Sequence, residues 1–258
     1  MRRLLLALVA LLGFASAMPV AAQTEPRPVI ILVHGAFAGS SSWAGVVERL
    51  QKSGYRVIAA ANGLRSVRSD AAQISALVHS INGPIVLVGH SYGGPVITAA
   101  AEGNANVKAL VYVSAFAPEA GETSLGLSGK FPGSTLGDTL VSVPLADGGE
   151  DLYVDTAKFH HQFAGDVSDA IAATMAATQR PVTKAALGEA TVTPTWKTIP
   201  NYAIYGTADL NIPPEAMKFM YARSRSKKTV AVQGASHSIM VSHPAEVASL
   251  IETAALSR

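Results

Sequence analysis

The chain has 258 residues, of which 49% are apolar and 15% are charged, with a formal net charge of +2 and no cysteine. This composition supports one α/β domain with a large hydrophobic core, and it excludes a disordered chain, disulfide bonds and a cysteine nucleophile. The small charge without a basic stripe gives no indication of nucleic-acid binding.

The first 22 residues predict a secretory signal peptide. Two arginines precede an apolar run over residues 4–18, and Val20-Ala21-Ala22 offers small residues for cleavage after Ala22. A membrane anchor is the alternative, but the run is short for a membrane span. We therefore expect a periplasmic or secreted protein, with residues 23–258 as the mature domain and no stable membrane association after cleavage.

Strands and helices alternate along the first half of the mature chain. Apolar, β-branched runs predict buried strands, and amphipathic segments that stop at glycine or asparagine predict helices. The predicted strands cover residues 29–33, 55–60, 84–88 and 107–114, and the predicted helices cover 43–52, 69–81 and a segment from 95 onward. This alternation predicts an α/β fold, with a mostly parallel sheet, right-handed crossovers and helices on both faces.

The alternation stops at Ala117-Pro118. Residues 118–148 are rich in Gly, Ser, Thr and Pro, whereas residues 150–190 are predicted to be helical. We interpret residues 118–197 as an insertion that forms a cap over the carboxyl ends of the strands. A disordered linker is the alternative, which the aromatic side chains of the insertion oppose. Strands at 201–205 and 229–232 and a helix at 244–256 then complete the domain.

A Gly-x-Ser-x-Gly sequence, Gly89-His90-Ser91-Tyr92-Gly93, joins a predicted strand to a predicted helix. In this context the serine lies at the apex of a sharp turn, with its hydroxyl exposed at the carboxyl edge of the sheet. Gly89 and Gly93 are expected to pass so close to other backbone that a Cβ would clash. Ser91 is therefore the candidate nucleophile, and a plain glycine-rich turn is the alternative.

A serine nucleophile needs a base and a third group that orients the base. The carboxyl ends of parallel strands share one edge, so these partners should follow later strands. His237 follows the strand at 229–232 and is the candidate base, while Asp209 follows the strand at 201–205 and is the candidate acid. An Asx-turn or N-cap is the alternative role for Asp209, and Glu119 is the rival acid.

Two backbone N–H groups are expected to form an oxyanion hole beside Ser91. One should come from Tyr92, the residue after the nucleophile, and the other from Ala36 in the loop after the first strand, with Phe37 as the near alternative. Phe37 and His34 are also candidate substrate-binding residues. For His34, which flanks a turn, a structural role is the alternative.

The sequence predicts neither a metal site nor a cofactor. His160 and His161 are adjacent and would diverge on a helix, and no H-x-x-x-H motif or carboxylate cluster supports them. No G-x-G-x-x-G sequence follows a strand, so no dinucleotide is indicated.

These motifs jointly resemble the α/β-hydrolases over residues 29–255. The matching elements are His34-Gly35 after the first strand, Gly-His-Ser-Tyr-Gly-Gly, Gly-x-x-Asp-x-x-x-Pro and the late His237. The spacing His-Gly-Ala-x-x-Gly-x-x-x-Trp is closest to the branch that holds plant methylesterases and hydroxynitrile lyases. The resemblance implies the α/β-hydrolase fold and a triad of Ser91, His237 and Asp209, in the chain order Ser, Asp, His that this fold uses.

Two departures from the hydroxynitrile lyases favour ester hydrolysis. Those lyases carry a lysine directly after the catalytic histidine and a threonine in the first oxyanion loop, where this chain has Ser238 and Gly35. We therefore expect an exported serine carboxylesterase whose partner is a small ester or lactone. A hydroxynitrile lyase, a cofactor-free perhydrolase and a ligand-binding protein with little turnover are the alternatives. The sequence leaves the acyl-chain preference and the oligomeric state open.

Overall fold

A six-stranded parallel sheet forms the centre of the computed structural model, which describes residues 27–257. The strands in chain order are β1 (Val29–Val33), β2 (Val57–Ala60), β3 (Ile85–His90), β4 (Val107–Val113), β5 (Leu140–Pro144), β6 (Glu150–Val154), β7 (Val182–Thr183), β8 (Asn201–Gly206) and β9 (Thr229–Val232). The central sheet has the order β2-β1-β3-β4-β8-β9, with every neighbouring pair parallel. The predicted signal peptide, residues 1–22, lies outside the described residues.

Helices cover both faces of the central sheet. They are α1 (Ala44–Lys52), α2 (Val67–His79), α3 (Gly93–Ala100), α4 (Ser124–Ser128), α5 (Thr156–Phe163), α6 (Asp169–Thr178), α7 (Lys184–Gly188), α8 (Pro214–Arg223), α9 (Ile239–Ser242) and α10 (Pro244–Leu256). Side chains alternate along each strand, so Leu32 belongs to the hydrophobic cluster that includes α1 and α10, whereas Ile31 belongs to the cluster that includes α2, α3 and α8. The predicted α/β architecture is confirmed.

The strand order places a switch point between β1 and β3. From β1 the chain adds β2 on one side, and it then returns to add β3 on the other side. The connections therefore diverge at the carboxyl ends of β1 and β3, which leaves a crevice where α/β proteins bind their ligands. The loop that begins at His34 and the turn at Ser91 follow these two strands and so meet at this crevice.

The segment between β4 and β8 leaves the central sheet. We call residues 118–197 the cap segment; it contains α4 to α7 and a small antiparallel sheet in the order β5-β6-β7. The helical prediction for residues 150–190 is wrong at β6, because five residues there pair with β5. Four of the five β5 residues are exposed, so that strand lacks the apolar alternation that marks a buried strand.

Two helices outside the cap segment, α8 and the four-residue α9, also escaped prediction. Helix α8 begins at Pro214, with Glu215 in its first turn and buried Met217 and Met220 on its inner face. A proline at the start and an acidic residue in the first turn are recognised start signals. Within residues 27–257, no helix is long and apolar enough to cross a membrane.

Candidate active site

Ser91 occupies the sharp turn between β3 and α3. Its φ is 53°, in the left-handed region that non-glycine residues rarely adopt. A Cβ at Gly89 would lie 2.5 Å from the carbonyl oxygen of Gly93, and a Cβ at Gly93 would lie 2.6 Å from that of Val33. The turn therefore needs both glycines, as the motif predicts, and it presents Ser91 at the end of β3 with 7% of its surface exposed.

His237 and Asp209 meet beside this turn. The Nδ1 atom of His237 is 2.7 Å from Oδ2 of Asp209, and both side chains are buried. The second oxygen of Asp209 accepts the backbone N–H groups of Asn211 and Ile212 at 2.8 and 2.9 Å. Asp209 thus makes the turn that was considered as its alternative role and holds His237 at the same time.

This arrangement selects one tautomer of the neutral imidazole ring. A carboxylate only accepts hydrogen bonds, so Nδ1 of His237 carries the proton that it donates to Asp209. The Nε2 atom is left as the basic nitrogen of the neutral ring. His237 and Ser91 line the same cavity, so the Ser91 hydroxyl and Nε2 of His237 can act on the same substrate.

The cap segment supports the loop that carries His237. The Phe163 ring at the end of α5 lies edge-on to the His237 ring, with 5.0 Å between centroids. The Phe163 carbonyl oxygen accepts the N–H and the hydroxyl of Ser238 at 3.1 and 2.9 Å. The hydroxyl of Ser236 donates to the Asp166 carboxylate. Residues on both sides of His237 are therefore tied to the cap segment.

Two other buried histidines have structural contacts. His34 donates from Nδ1 to the Gly35 carbonyl oxygen at 2.9 Å and accepts the Asn62 N–H at Nε2, and burial lowers its pKa to about 4. His90 donates from Nε2 to the His237 carbonyl oxygen at 3.0 Å, and burial holds its pKa well below the usual range. His34 is not among the residues that line the cavity, so the structure supports its structural role rather than substrate contact.

The two predicted oxyanion-hole residues line the cavity at Ser91. The N–H groups of Ala36 and Tyr92 have no hydrogen-bond partner within residues 27–257. The N–H of Phe37, the alternative donor, is already used, because it donates to the Arg180 carbonyl oxygen at 3.0 Å. A Cβ at Gly35 would lie 2.6 Å from that of Ser91, so the glycine brings this loop against the serine.

The side chain of Tyr92 anchors the turn from below. Its hydroxyl donates to Oδ2 of Asp70 at 2.9 Å, and both residues are buried between α2 and α3. Burial, and then the neighbouring Asp70 charge, raise the pKa of the Tyr92 hydroxyl above its usual range. Local sequence patterns do not indicate this pair, because its two members are 22 positions apart.

A cavity of about 100 Å³ joins these groups to the cap segment. The residues after the central strands that line it are Ala36, Phe37, Ser91, Tyr92, Phe116, Asn211, Ile212 and His237. The cap segment contributes Ser124, Leu125, Ser128, Ser134, Leu136, Gly137, Leu140 and Leu187. Phe37 therefore lies where a substrate-binding residue was predicted. The rival acid Glu119 is not among these residues and forms an ion pair with Lys197 at 2.6 Å.

The part of the chain that the structure describes contains no cluster of three or more His, Cys, Asp or Glu side chains placed to hold a metal ion. The groups around the cavity are instead a hydroxyl, an imidazole–carboxylate pair and two free backbone N–H groups. In combination they can take a proton from a hydroxyl and stabilise an oxyanion.

Comparison with known proteins gives one family and several esterases. Residues 30–250 match the Alpha/beta hydrolase family. A carbendazim hydrolyzing esterase of Nocardioides sp. (strain SG-4G) is 33% identical over 110 residues, which is 38% of this chain and 46% of that esterase. The chain thus matches less than half the length of this curated relative.

Solved structures share the fold at low sequence identity. The crystal structure of polyneuridine aldehyde esterase superposes with a TM-score of 0.77 at 19% identity, covering 88% of this chain and 99% of that one. A pyrethroid hydrolase from Sphingobium faniae JZ-2 superposes with a TM-score of 0.69 at 21% identity, covering 88% and 97%. These likenesses confirm the fold that the motifs indicated.

Proposed function

This chain belongs to the alpha/beta hydrolase family, and we propose that it is an exported serine esterase that hydrolyses small esters or lactones. The observation that carries the proposal is the common cavity of Ser91 and His237, with His237 bonded to Asp209 at 2.7 Å. The esterase and hydrolase names of its relatives support the same reaction class.

In the proposed mechanism, the Ser91 hydroxyl oxygen attacks the acyl carbon while its proton passes to Nε2 of His237. The N–H groups of Ala36 and Tyr92 stabilise the negative oxygen of the tetrahedral intermediate. The intermediate collapses, the bond to the leaving alcohol breaks, and His237 returns the proton to that alcohol. Asp209 stabilises the imidazolium during this transfer. Water then attacks the acyl-enzyme with the help of His237, and the acid is released.

The cavity supports a small substrate. Its volume is about 100 Å³, and leucines at 125, 136, 140 and 187 form much of its cap side. Such walls favour a short, largely apolar acyl or alcohol group. The carbendazim, polyneuridine aldehyde and pyrethroid names belong to the relatives, and for this chain they support only the class of reaction, ester hydrolysis.

The test compares the protein with its Ser91→Ala variant on p-nitrophenyl acetate, followed by intact-mass analysis after a fluorophosphonate probe. We expect hydrolysis by the unaltered protein, one covalent adduct, and loss of both in the variant, with turnover lower by about 10⁴-fold or more. Thr98→Ala, which removes a buried hydroxyl on α3 away from the cavity, is the control and should keep the adduct. An unaltered protein without adduct or hydrolysis would refute the proposal.

Export is a separate part of the proposal and has its own test. It is supported by the basic start, apolar run and small residues of the first 22 positions. Expression of the full chain in a Gram-negative host should yield a product in the periplasm or medium that begins at Gln23. A full-length product retained in the membrane fraction would favour the anchor instead.

A further inference from the structure

The orientation of the Asn211 side chain follows from its neighbours. Gln162 on α5 donates from Nε2 to the Leu210 carbonyl oxygen at 2.9 Å, and its Oε1 accepts the Thr135 hydroxyl at 2.8 Å. The same Nε2 is 2.7 Å from the Asn211 side chain. Because Nε2 can only donate, the atom of Asn211 that faces it must be the oxygen. The Asn211 amide nitrogen therefore faces the other way.

That nitrogen is a buried donor without an acceptor. Asn211 is 2% exposed and lines the cavity beside Ser91, and no atom of residues 27–257 accepts from its Nδ2. Burying an amide N–H without a partner costs folding free energy, so such groups are rare and call for an explanation. Its neighbour in the chain, Ile212, and the leucines of the cap segment offer no acceptor in their side chains.

Ser124 presents a second such group at the same cavity. It is the first residue of α4, it is 2% exposed, and its hydroxyl has no partner among the described residues. Two other serines of the cavity differ, because Ser128 and Ser134 donate their hydroxyls to the Asn211 carbonyl oxygen at 3.2 and 2.9 Å. Apart from the candidate reacting groups Ser91 and His237, unused hydrogen-bonding capacity in the cavity side chains is therefore concentrated at Ser124 and Asn211.

We propose that Asn211 and Ser124 form a polar subsite that binds an oxygen acceptor on the substrate, separate from the ester group that reacts. This inference rests on the proposed function. An amide N–H can only donate, so the group bound at Asn211 must be a hydrogen-bond acceptor, and in a small ester this is an ether, hydroxyl or carbonyl oxygen. The preferred substrate is thus a small ester that is apolar except for one additional oxygen near its reacting carbonyl.

The test uses esters that differ by one oxygen in place of a methylene. p-Nitrophenyl methoxyacetate and p-nitrophenyl butyrate compare the two atoms on the acyl side, and 2-methoxyethyl butyrate and butyl butyrate compare them on the alcohol side. The measured quantity is the ratio of kcat/KM for the oxygen ester to that for its carbon counterpart. Differences in intrinsic reactivity cancel when the ratio of a variant is compared with the ratio of the unaltered protein.

Asn211→Asp keeps the oxygen that faces Gln162 but replaces the free donor with an acceptor, and Ser124→Ala removes the free hydroxyl. In at least one of the two pairs, we expect each variant to lower the ratio by roughly three- to tenfold, the value of one hydrogen bond. Ser128→Ala is the matched control, because its hydroxyl is already used, and it should leave the ratio unchanged. A ratio that neither variant changes in either pair would overturn the subsite.

A second readout does not depend on turnover. In the Ser91→Ala protein, the side-chain amide signal of Asn211 is followed by ¹⁵N NMR during titration with two ester pairs, methyl methoxyacetate with methyl butyrate and 2-methoxyethyl butyrate with butyl butyrate. In at least one pair, we expect a saturable shift with the oxygen ester that exceeds the shift with its carbon counterpart, and equal or absent shifts in both pairs would contradict the subsite. If the carbon esters are hydrolysed but the variants leave the kcat/KM ratios unchanged, the proposed function stands and the subsite is refuted. If the protein shows neither hydrolysis nor an adduct at Ser91, the proposed function is refuted, and the NMR titration still tests the subsite.

Discussion

The two carboxylate oxygens of Asp209 make hydrogen bonds to different partners. Oδ1 accepts two backbone N–H groups, from Asn211 and Ile212, which fixes the carboxylate in its loop. Oδ2 is then directed at Nδ1 of His237. A residue that is held by its own turn can orient its partner without losing conformational entropy at each turnover, which is the condition for a preorganised site.

Asp209→Asn is expected to keep the two backbone hydrogen bonds but to change the contact with His237. The amide oxygen can keep the two backbone bonds, but the amide nitrogen then faces Nδ1 of His237 and can only donate. The histidine must accept there and carry its proton on Nε2, so it cannot take a proton from Ser91. We expect kcat on p-nitrophenyl acetate to fall by about 10⁴-fold with little change in the urea midpoint. Near-full activity would show that Asp209 is not the acid.

The Tyr92 hydroxyl and Asp70 form a buried pair beneath the backbone N–H of Tyr92, the proposed oxyanion donor. Tyr92→Phe leaves the Asp70 carboxyl without this bond, and we expect the free energy of unfolding to fall by about 1.5–3 kcal/mol. The control is Tyr112→Phe, because the buried Tyr112 hydroxyl bonds only to the neutral Thr98 hydroxyl at 2.8 Å; its cost should be about 1 kcal/mol. Urea unfolding measures both, and equal losses would argue against a special role for Asp70.

Sequence patterns indicated some of the site residues and not others. Ser91, His237 and Asp209 could be assigned because each follows a predicted strand, and parallel strands end at one edge of the sheet. No sequence pattern of this kind identified Asp70, Gln162 or Asn211. Their roles depend on contacts with residues 22 and 49 positions away, and local patterns do not record which side chains meet across such distances.

At the scale of the elements, the cap segment is part of the site rather than a cover for it. Helix α5 ends at Phe163, whose ring contacts His237 and whose carbonyl oxygen binds Ser238. A displacement of α5 would therefore disturb the histidine as well as the cavity. Since α4 makes no such bond to the histidine loop among the described residues, and Leu125 on it is 60% exposed, substrate entry is expected beside α4.

Phe163→Ala tests the coupling between α5 and the histidine loop. Removing a fully buried phenylalanine should lower the free energy of unfolding by about 3–5 kcal/mol, and kcat should fall further than stability alone explains. Phe159→Ala is the control, because Phe159 is equally buried but stacks on Phe163 instead of His237. Activity is compared at a temperature where both variants are fully folded by circular dichroism. Equal kcat values would contradict the coupling.

The elements of the central sheet were predictable from sequence, whereas those of the cap segment were largely not. Runs such as Ile85–His90 are buried on both faces, so their composition alone marks them as strands. Strand β5 is exposed over most of its length, and β7 has only two residues. Short or exposed strands are held by their partners instead of by their own burial pattern, so neither length nor periodicity identifies them.

At the scale of the whole molecule, neutral buried histidines couple folding to pH. His34 and His90 are fully buried, and burial lowers the pKa of both, to about 4 for His34. The His34 ring also accepts the Asn62 N–H at Nε2, a contact that only the neutral ring can make. In the unfolded chain these side chains titrate near pH 6.5. Between about pH 4 and pH 6.5 the unfolded state therefore binds more protons than the folded state, so a decrease in pH through this range lowers the free energy of unfolding.

The free energy of unfolding should consequently fall as the pH decreases from 6.5 toward 4 and should be insensitive to these groups above pH 7. His34 alone contributes a loss of about 2 kcal/mol between pH 7 and pH 5. Urea unfolding at the two pH values measures the loss, and His34→Gln, which cannot titrate, should reduce it by about that amount. An equal loss in the variant would show that His34 is not responsible.

The bonds between Phe163, Asp166 and the serines that flank His237 also bear on how this protein diverges over evolutionary time. Substitutions around residues 124–140 can change the shape of the cavity wall without moving the side chains of Ser91 and His237. Substitutions at Phe163 or Asp166 instead disturb the contacts that hold the His237 loop, so most of them are expected to be removed by selection. New substrate preferences in descendants of this chain should therefore arise first in the stretch from α4 to β5.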